Sequence, residues 1–311
     1  MTDRVVVVGA GTMGHGIAQV CAQYGYCVTL VDVKQEILER AVEGIKSNLN
    51  VMRSLGVINV SDAEVLSRIS LETDLEKACT KARLVIEAIV ESLKAKQDLF
   101  CEMDKWLPED CIVTSNTSSL SISAMARSMG RTEKFVGMHW FTPPHLIPVV
   151  EVVKTEWVAP EAVRFVVDFV KSVKKYPVVC KDSPGFIVNR VLQAMGLEAF
   201  SILEEGLVED QEQLDRAISL TFGIRMPFYG PCRLADFGGL DIWLATARNL
   251  FEQLKHEKFR PPKVLESKVK DGLLGVKNGK GFYEYSEEER KRVVEERNAN
   301  LIKCLQMLGW V

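Results

Sequence analysis

The sequence predicts an α/β fold, a mostly parallel and doubly wound sheet, followed by an all-α domain. Two observations support this prediction. Residues 5–31 read as strand, glycine turn, helix and strand, and short apolar runs alternate with helical patterns up to about residue 182. Such alternation is typical of a parallel sheet with helices on both faces. After that point long helical patterns dominate, so we expect domains at residues 1–183 and 184–311.

The first strand and turn carry a nucleotide-binding pattern. Val5–Val8 is a run of valines, typical of a strand that is buried on both faces. Three glycines with G-x-G-x-x-G spacing follow, and each has a physical role: a tight turn, close approach of a pyrophosphate, and close helix–strand packing. The free N–H groups of the next helix then face the phosphates. The residues expected to line this part of the site are Gly9, Gly11, Thr12, Met13 and Gly14.

Asp32 ends the second strand and indicates which dinucleotide is bound. A carboxylate at this position accepts hydrogen bonds from a ribose 2′-hydroxyl and repels a 2′-phosphate, which favours NAD over NADP. Lys34 is the single base nearby, which gives little support for NADP. FAD shares the motif, but further FAD-binding segments are not found. We therefore predict a Rossmann domain that binds NAD.

Composition excludes several classes of protein. The chain has 311 residues, 47% of them hydrophobic, and a net charge of −3 with mixed signs, so we expect no nucleic-acid partner. We expect no membrane span, and no signal peptide because the first strand begins at once.

The eight cysteines are scattered, and Cys27, Cys111 and Cys180 resemble buried strand positions, which favours reduced thiols in the cytoplasm. The spacing of cysteine and histidine indicates no metal site.

The remaining elements of the first domain follow from hydrophobic periodicity. The predicted strands are Val28–Val31, Val85–Ala88, Ile112–Thr114, Val136–His139, Val149–Val153 and Val178–Cys180. The predicted helices are Lys34–Arg53, Leu93–Trp106, Ile122–Ser128 and Glu161–Val173. In the second domain we predict helices at Gly185–Glu205, Gln211–Phe222, Asp241–Lys255 and Glu287–Met307.

The strongest catalytic candidates lie in residues 136–153. If the proline-rich segment Thr142–Pro148 is the turn of a hairpin, His139 and Glu151 face each other, because each lies six residues from His145. A glutamate inside the apolar run VVEVV needs a partner, and His139 is the nearest one. An imidazole oriented by a carboxylate is the dyad that oxidation of a hydroxyl requires. The alternatives are a solvent-facing Glu151 with a core His139, or His145 as the base; His15 is expected to serve packing.

Two polar elements complete this prediction. Ser115–Ser119 follows a strand, on the ligand side of a doubly wound sheet, although such a cluster can also cap the helix near Ile122. Asn189 lies in an apolar helix that Ser183 and Pro184 are expected to begin, so it needs a defined partner. The domain junction is a usual place for a ligand.

The sequence resembles the 3-hydroxyacyl-CoA dehydrogenase family, of the short bacterial 3-hydroxybutyryl-CoA dehydrogenase type. The likeness covers residues 4 to 285. The motifs that carry it stand in the family's order: GAGTMGHGIA, VIEAIVESLKAK, SNTSSLSIS, GMHWFTPP, VVEVV, DSPGFIVNR, LADFGGLD and GVKNGKGFYEY. The resemblance implies His139 as base, Glu151 as its partner, and Ser118 and Asn189 as the polar groups around the reacting oxygen. It also implies an NAD site lined by Asp32, Glu91, Lys96 and Asn116, and a homodimer formed through the helical domain.

Three departures from the family pattern concern the substrate. Thr142 replaces an asparagine that is usual in the family, residues 49–60 lack a lysine-rich stretch, and a helix follows Tyr285. Lys46 and Arg53 are the candidates left to contact CoA phosphates. A subgroup with a similar turn and tail resembles dehydrogenases of substrates without CoA, including a ring alcohol.

The sequence therefore predicts an NAD-dependent dehydrogenase that interconverts a 3-hydroxyl and a 3-ketone. The favoured substrate is a short (S)-3-hydroxyacyl-CoA, such as 3-hydroxybutyryl-CoA. A free hydroxy acid or ring alcohol is the alternative substrate. A non-catalytic, crystallin-like protein is a weaker alternative, because a structural role does not need His139, Glu151, Ser118 and Asn189 together.

Overall fold

The computed structural model describes residues 4–311, which form two compact units that divide after Leu197. The first unit contains one eight-stranded sheet. Its strands are β1 (Arg4–Val8), β2 (Cys27–Val31), β3 (Ile69–Glu72), β4 (Leu84–Glu87), β5 (Ile112–Ser115), β6 (Phe135–Trp140), β7 (Val149–Lys154) and β8 (Tyr176–Lys181). Their order in the sheet is β3-β2-β1-β4-β5-β6-β7-β8. Strands β6 and β7 pair antiparallel, whereas the other neighbouring strands pair parallel. The predicted fold class is confirmed.

Helices cover both faces of this sheet. They are α1 (Thr12–Gln23), α2 (Gln35–Ser54), α3 (Asp62–Ser67), α4 (Leu75–Cys79), α5 (Leu93–Met103), α6 (Ile122–Ala126) and α7 (Pro160–Ser172). Val5 and Val7 belong to the core beneath α1, α2 and α7, whereas Val6 and Val8 belong to the core beneath α4, α5 and α6. Successive side chains of a strand point to opposite faces of the sheet, and helices cover both faces of β1. This explains why Val5–Val8 are all apolar.

Three short elements of the first unit were not predicted from the sequence, and neither were two helices of the second unit, Pro231–Gly238 and Lys263–Lys270. β3, α3 and α4 contain four to six residues each. β3 lies at one edge of the sheet, and its side chains are exposed or half-buried. An edge strand of this kind needs no apolar run, so hydrophobic periodicity does not reveal it.

The rest of the chain is helical, as predicted. Its helices are α8 (Val188–Glu204), α9 (Gln211–Ile218), α10 (Pro231–Gly238), α11 (Leu240–Leu254), α12 (Lys263–Lys270) and α13 (Glu287–Met307). A π-helical turn, Ser219–Gly223, continues α9, and single 3-10 turns occur at Thr132–Lys134, Glu257–Phe259 and Val276–Asn278. α13 has the predicted bounds, and a capping box formed by Ser286 and Glu289 fixes its start.

Asp236 organises the second unit. It is fully buried, and its carboxylate accepts hydrogen bonds from the backbone of Phe282 and Tyr283 and from the hydroxyl of Tyr285. A buried carboxylate is tolerated when its oxygens have such partners. These bonds tie α10 to the glycine-rich segment that precedes α13.

Two local predictions were wrong. Ser183 and Pro184 do not begin α8, because Gly185 and Phe186 adopt positive φ angles of 71° and 48° and turn the chain before Val188. Among the cysteines, Cys111 is buried, but Cys27 is exposed and Cys180 is half-buried. All eight cysteines are free thiols.

Within residues 4–311, no helix combines the length and the apolar character that a membrane span requires.

Candidate active site

The glycine turn between β1 and α1 has the geometry that close backbone approach requires. Gly9 has φ = 100°, and a Cβ on Gly14 would lie 1.7 Å from the carbonyl oxygen of Gly9. A Cβ on Gly11 would have no protein atom within 4 Å. The space beside Gly11 is therefore open, and α1 begins there at Thr12 with its free N–H groups.

Asp32 is fixed beside this turn. Its Oδ2 accepts a hydrogen bond from the Ala10 N–H at 2.8 Å, and its Oδ1 accepts one from the Val33 N–H at 2.8 Å. A cavity of about 510 Å³ lies next to Asp32, and its lining is mostly apolar, including Val33, Ile37 and Val90. An adenine ring suits such walls, and a ribose would reach the carboxylate. The residues present therefore fit NAD.

His139 and Glu151 form the predicted pair. They lie directly opposite each other in the antiparallel β6–β7 ladder, and His139 Nδ1 is 2.7 Å from Glu151 Oε2. Both side chains are buried, and the rings of Phe141 and Phe186 lie 4.4 Å and 5.7 Å from the imidazole. Since Nδ1 bonds to the carboxylate, Nε2 is the nitrogen that can meet a substrate.

The second oxygen of Glu151 caps helix α8. Oε1 accepts hydrogen bonds from the N–H groups of Ile187 at 3.0 Å and Val188 at 2.9 Å. Burial raises the pKa of Glu151, but the hydrogen bonds from His139 and from these two N–H groups outweigh burial and leave the pKa below its ordinary value. Glu151 is therefore a carboxylate at neutral pH. It accepts the hydrogen bonds from the N–H groups at the start of α8, the role that the sequence predicted for Ser183.

Asn189, the next residue of α8, contacts the loop that carries Ser118. Its Nδ2 donates a hydrogen bond to the Ser118 carbonyl oxygen at 2.9 Å. Asn189 thus has the defined partner that its apolar surroundings suggested. One series of contacts now connects His139, Glu151, the start of α8, Asn189 and Ser118.

The Ser118 loop is anchored by Glu91. Glu91 Oε1 accepts hydrogen bonds from Thr117 Oγ1 at 2.6 Å, the Ser118 N–H at 2.9 Å and the Ser119 N–H at 3.2 Å. The alternative role of the cluster as a helix cap was wrong, because Ser121 accepts the capping bond at the start of α6. Ser118 itself is exposed at the carboxyl edge of the sheet.

Lys96 lies behind Glu91 and is 1% exposed. Its ammonium group is 2.5 Å from Glu87 Oε1 and 3.5 Å from Glu91 Oε2. The resemblance implied that Lys96 lines the NAD site, but almost none of its surface is accessible to a cofactor.

Glu87 was missed in the sequence. It is fully buried at the end of β4, where Ser115 Oγ donates to its Oε2 at 2.5 Å. Burial raises the pKa of Glu87, and the charge of Lys96 and the bonds from Lys96, Ser115 and Ile89 offset this only in part. The argument that selected Glu151 also applies to Glu87, since both glutamates interrupt an apolar strand.

Asn116 and Thr142 connect the site with its surroundings. Asn116 Oδ1 accepts a hydrogen bond from the Trp140 N–H at 2.8 Å, which joins the ends of β5 and β6. Thr142 Oγ1 lies 3.0 Å from Met13 Sδ, so this hydroxyl contacts the first turn of α1. Thr142 therefore bridges the turn after His139 and the cofactor loop.

Within residues 4–311, neither His145, the alternative base, nor His15 is bonded to an orienting carboxylate. His145 Nδ1 is buried and has no hydrogen-bond partner within residues 4–311. Burial, with the nearby charges of Lys175 and His15, lowers the pKa of His145. His15 Nδ1 lies 2.9 Å from the carbonyl oxygen of Gly11, as expected for a packing role.

The two candidate contacts to CoA phosphates are engaged with carboxylates. Lys46 pairs with Glu43 at 2.7 Å, and Arg53 pairs with Asp62. The same stretch exposes apolar side chains instead of lysines, with Val51, Leu55 and Val57 at 55%, 74% and 60%. This surface therefore offers little free positive charge.

Comparisons with known proteins identify the family. Residues 4–183 match the family model described as 3-hydroxyacyl-CoA dehydrogenase, NAD binding domain, and residues 185–285 match its C-terminal domain. A probable 3-hydroxybutyryl-CoA dehydrogenase of Deinococcus radiodurans is 41% identical over 279 residues, which cover 90% of this chain and 99% of that protein. Residues 4–183 are thus an NAD-binding domain of this family.

Two further relatives extend over the C-terminal helix. The crystal structure of a 3-hydroxyacyl-CoA dehydrogenase from Archaeoglobus fulgidus superposes with a TM-score of 0.83 at 34% identity, covering 99% of this chain and 100% of that one. A 5-formyl-3-hydroxy-2-methylpyridine 4-carboxylate 5-dehydrogenase of Mesorhizobium japonicum is 34% identical over 309 residues, 99% of each protein. The chain therefore belongs to the 3-hydroxyacyl-CoA dehydrogenase family.

Proposed function

We propose that the protein oxidises a short (S)-3-hydroxyacyl-CoA to the 3-ketoacyl-CoA, or catalyses the reverse reaction, with NAD as cofactor. The observation that carries the proposal is the buried pair of His139 and Glu151, whose atoms Nδ1 and Oε2 are 2.7 Å apart. Family membership supports the same reaction.

His139 is the general base in this proposal. Its Nε2 takes the proton from the oxygen of the substrate hydroxyl, and bound NAD would accept the hydride from the carbon that bears this hydroxyl. Glu151 keeps Nδ1 protonated, which leaves Nε2 as the acceptor, and stabilises the imidazolium that forms. Because Glu151 is ionised and buried, this stabilisation is little screened by solvent.

Ser118 and Asn189 are the polar groups nearest the reacting oxygen. Asn189 Nδ2 bonds to the Ser118 carbonyl, so the loop and helix α8 hold each other in place. A hydroxyl and an amide held in this way can donate to the ketone oxygen as it gains negative charge.

The proposed NAD site combines the glycine turn with Asp32. Gly9, Gly11, Thr12, Met13 and Gly14 would receive the pyrophosphate, and Asp32 would accept the bonds of the adenosine ribose. Asn116 and the region of Glu91 and Lys96 lie at the same carboxyl edge of the sheet, towards the nicotinamide end.

A substrate without CoA is the second candidate. The ion pairs of Lys46 and Arg53 favour it, because paired cations are less available to CoA phosphates. Both cations are paired with carboxylates, and the neighbouring surface is apolar. The pyridine dehydrogenase relative covers the full chain, but so does the archaeal 3-hydroxyacyl-CoA dehydrogenase, so the C-terminal helix does not discriminate.

We include a homodimer and a cytoplasmic location in the proposal. Helix α8 exposes a row of large apolar side chains, with Val191 at 55%, Leu192 at 51%, Met195 at 47% and Phe200 at 64%. A row of this kind is typical of a protein interface. The eight free cysteines are consistent with a reducing compartment.

The test compares NADH oxidation with acetoacetyl-CoA and with free acetoacetate at matched concentrations near neutral pH. The thioester is expected to react and the free acid is not. His139→Gln is expected to abolish turnover while NADH binding stays intact, and the exposed His256→Gln serves as a matched control. Undiminished activity of His139→Gln would refute the assignment.

The other outcomes separate the alternatives. Turnover of acetoacetate or of ring alcohols without turnover of the thioester identifies the second candidate. NADH binding without turnover of any hydroxy acid, ring alcohol or thioester indicates a non-catalytic protein.

A further inference from the structure

Helix α1 packs against the turn between β6 and β7, residues 141–148. The buried Pro144 of this turn lies beside Gly16, which is buried in the second turn of the helix. Thr142 Oγ1 is also 3.0 Å from Met13 Sδ, in the first turn of the helix. Because Met13 and Gly16 are three residues apart, they lie on the same face of α1. The 141–148 turn therefore contacts one face of the helix at two successive positions.

The contact at Pro144 is closer than a side chain at position 16 allows. A Cβ added to Gly16 would lie 2.5 Å from Pro144 Cγ and 3.2 Å from Pro144 Cδ. Carbon atoms that are not bonded stay about 3.5–4.0 Å apart, so the proline ring would have to move by about 1 Å. The ring is closed onto the backbone, so the chain of the turn would move with it. Position 16 thus fixes how closely the turn approaches α1.

The helix itself does not require glycine at this position. Gly16 is not one of the residues with a positive φ angle, so its backbone conformation suits alanine equally. Inside a helix, glycine is less favourable than alanine because it loses more conformational freedom on folding. The position therefore requires an absent side chain because of Pro144 and not because of helix geometry.

The 141–148 turn leads directly to the proposed base. Its first residue, Phe141, packs against His139, with the two ring centroids 4.4 Å apart. Helix α1 begins at the glycine turn, where the proposed NAD site holds the pyrophosphate. A shift between α1 and the 141–148 turn therefore changes the position of His139 relative to the bound cofactor. A misplacement of about 1 Å between reacting groups can lower the rate by about 100-fold.

We propose that Gly16 and Pro144 are positioning residues, whose contact sets the distance between α1 and the 141–148 turn and so aligns His139 with bound NAD. Both residues act through the backbone of the element that carries them. The proposal rests on the proposed function for the role of His139, whereas the contact itself can be tested by unfolding alone.

The experiment compares the wild type, Gly16→Ala, Pro144→Ala and the double variant in NADH oxidation with acetoacetyl-CoA, in NADH binding and in thermal unfolding. Gly16→Ala is expected to lower kcat by about 10- to 100-fold, because the turn is displaced by about 1 Å. The Kd of NADH is expected to change by less than about threefold, since the residues of the glycine turn are unchanged. Pro144→Ala removes Cγ and Cδ, leaves a gap beside α1 and is expected to lower kcat by a smaller factor.

The double variant provides the sharpest comparison. Once Cγ and Cδ of Pro144 are removed, the nearest remaining atom outside α1 to the added Cβ is His145 Nδ1, at 3.8 Å. The methyl group then fits at an ordinary contact distance and fills the gap that Pro144→Ala leaves. We therefore expect the double variant to have a higher kcat than either single variant, and to unfold at a higher temperature than Gly16→Ala.

Gly44→Ala is the matched control. Gly44 lies inside α2, and its added Cβ would lie 3.0 Å from Nε2 at the far end of the His15 side chain, which can turn aside. The kcat and the NADH affinity of Gly44→Ala are expected to equal those of the wild type.

Each outcome decides the inference. A wild-type kcat of Gly16→Ala, or a double variant no more active than Pro144→Ala, would overturn the proposal, and the second comparison remains valid if Gly16→Ala does not fold. A lower unfolding temperature of Gly16→Ala with unchanged kcat per NADH-binding site would show a purely structural contact and overturn it too. An NADH affinity that falls as much as kcat would assign Gly16 to the cofactor site instead. If the wild type turns over no 3-hydroxyacyl-CoA, the proposed function fails, but the unfolding temperatures still support or refute the contact.

Discussion

Glu151→Gln is the most informative single change at the candidate site. The substitution keeps the size of a fully buried side chain and replaces one acceptor oxygen by an NH2 group. The carboxylate accepts from His139 Nδ1, Ile187 N and Val188 N at 2.7, 3.0 and 2.9 Å. An amide has one oxygen, so it can serve either the imidazole or the two N–H groups, but not both.

Either orientation of the amide has a defined cost. If the oxygen stays on α8, the NH2 group faces Nδ1 and favours the tautomer with the proton on Nε2, which cannot act as a base. If the oxygen turns to His139, the NH2 group faces two backbone donors. A hydrogen bond to a charged group contributes about 1.5–3 kcal/mol, which corresponds to roughly 10- to 150-fold in rate at about 1.4 kcal/mol per factor of ten.

We expect kcat of Glu151→Gln to fall by about 100-fold and the free energy of unfolding by about 1.5–3 kcal/mol. Steady-state NADH oxidation and urea unfolding measure the two effects, and NADH binding checks that the cofactor domain is intact. The exposed Glu156→Gln, close to the end of the same strand, is the control. A kcat within about threefold of the wild type would refute the tautomer argument.

The pH dependence of stability provides a second check on Glu151. Its pKa in the folded protein lies below the ordinary value of 4.5. The stabilisation is therefore fully present above that value and is lost as the pH falls through the lower, folded-state pKa. Glu151→Gln is expected to flatten the acid limb of the stability curve below about pH 4.5. An unchanged acid limb would show that the carboxylate contributes no such stability.

Three other predictions follow from single side chains. Gly14→Ala is expected to unfold or strongly destabilise the protein, since its Cβ would lie 1.7 Å from the carbonyl oxygen of Gly9. Gly11→Ala is expected to fold normally, because its Cβ would meet no protein atom within 4 Å, and to lose NADH affinity. Thermal unfolding and NADH titration separate the two, and equal stability losses would contradict the reasoning. Asp32→Ser is expected to weaken NADH binding and to reduce the preference over NADPH; an unchanged ratio of the two affinities would exclude Asp32 from the ribose site. Burial raises the pKa of the Cys21 thiol to about 12. A thiol reagent at pH 8 is therefore expected to label the exposed Cys101 in the native protein and Cys21 only after unfolding. Labelling of Cys21 in the native protein would contradict its burial.

Much of the fold could be predicted because the sheet is buried on both faces. Apolar strands such as β1 and β5 read directly from the sequence, and α13 is marked by its capping box. The pairing of His139 with Glu151 could be predicted for a related reason, since a turn fixes which residues of a hairpin face each other.

The start of α8 could not be predicted by the same means. Ser183 has the chemistry of a helix cap, but the cap is Glu151, a residue distant in sequence. Likewise, the three donors to Glu91 come from a loop 26 to 28 residues further along the chain. Local sequence rules describe neighbours along the chain, so contacts between separate strand ends lie beyond them.

The structure also separates the chemistry of the site from its choice of substrate. His139, Ser118 and Asn189 are each held by a carboxylate or by one another, through contacts made inside the protein. Residues that would select the substrate differ in this respect. The side chains of Thr142, Lys46 and Arg53 are exposed, although Lys46 and Arg53 lie on α2, whose inner face is buried.

A change of one of these exposed side chains is therefore expected to cost little stability and to leave the pair of His139 and Glu151 intact. Relatives with 34% to 41% identity over most of the chain are named for different substrates, a 3-hydroxybutyryl-CoA in one case and a substituted pyridine in another. Substitutions at the exposed residues Lys46, Arg53 and Thr142 are expected to change KM and substrate preference, whereas those at Glu151 and Asn189 are expected to change kcat for every substrate.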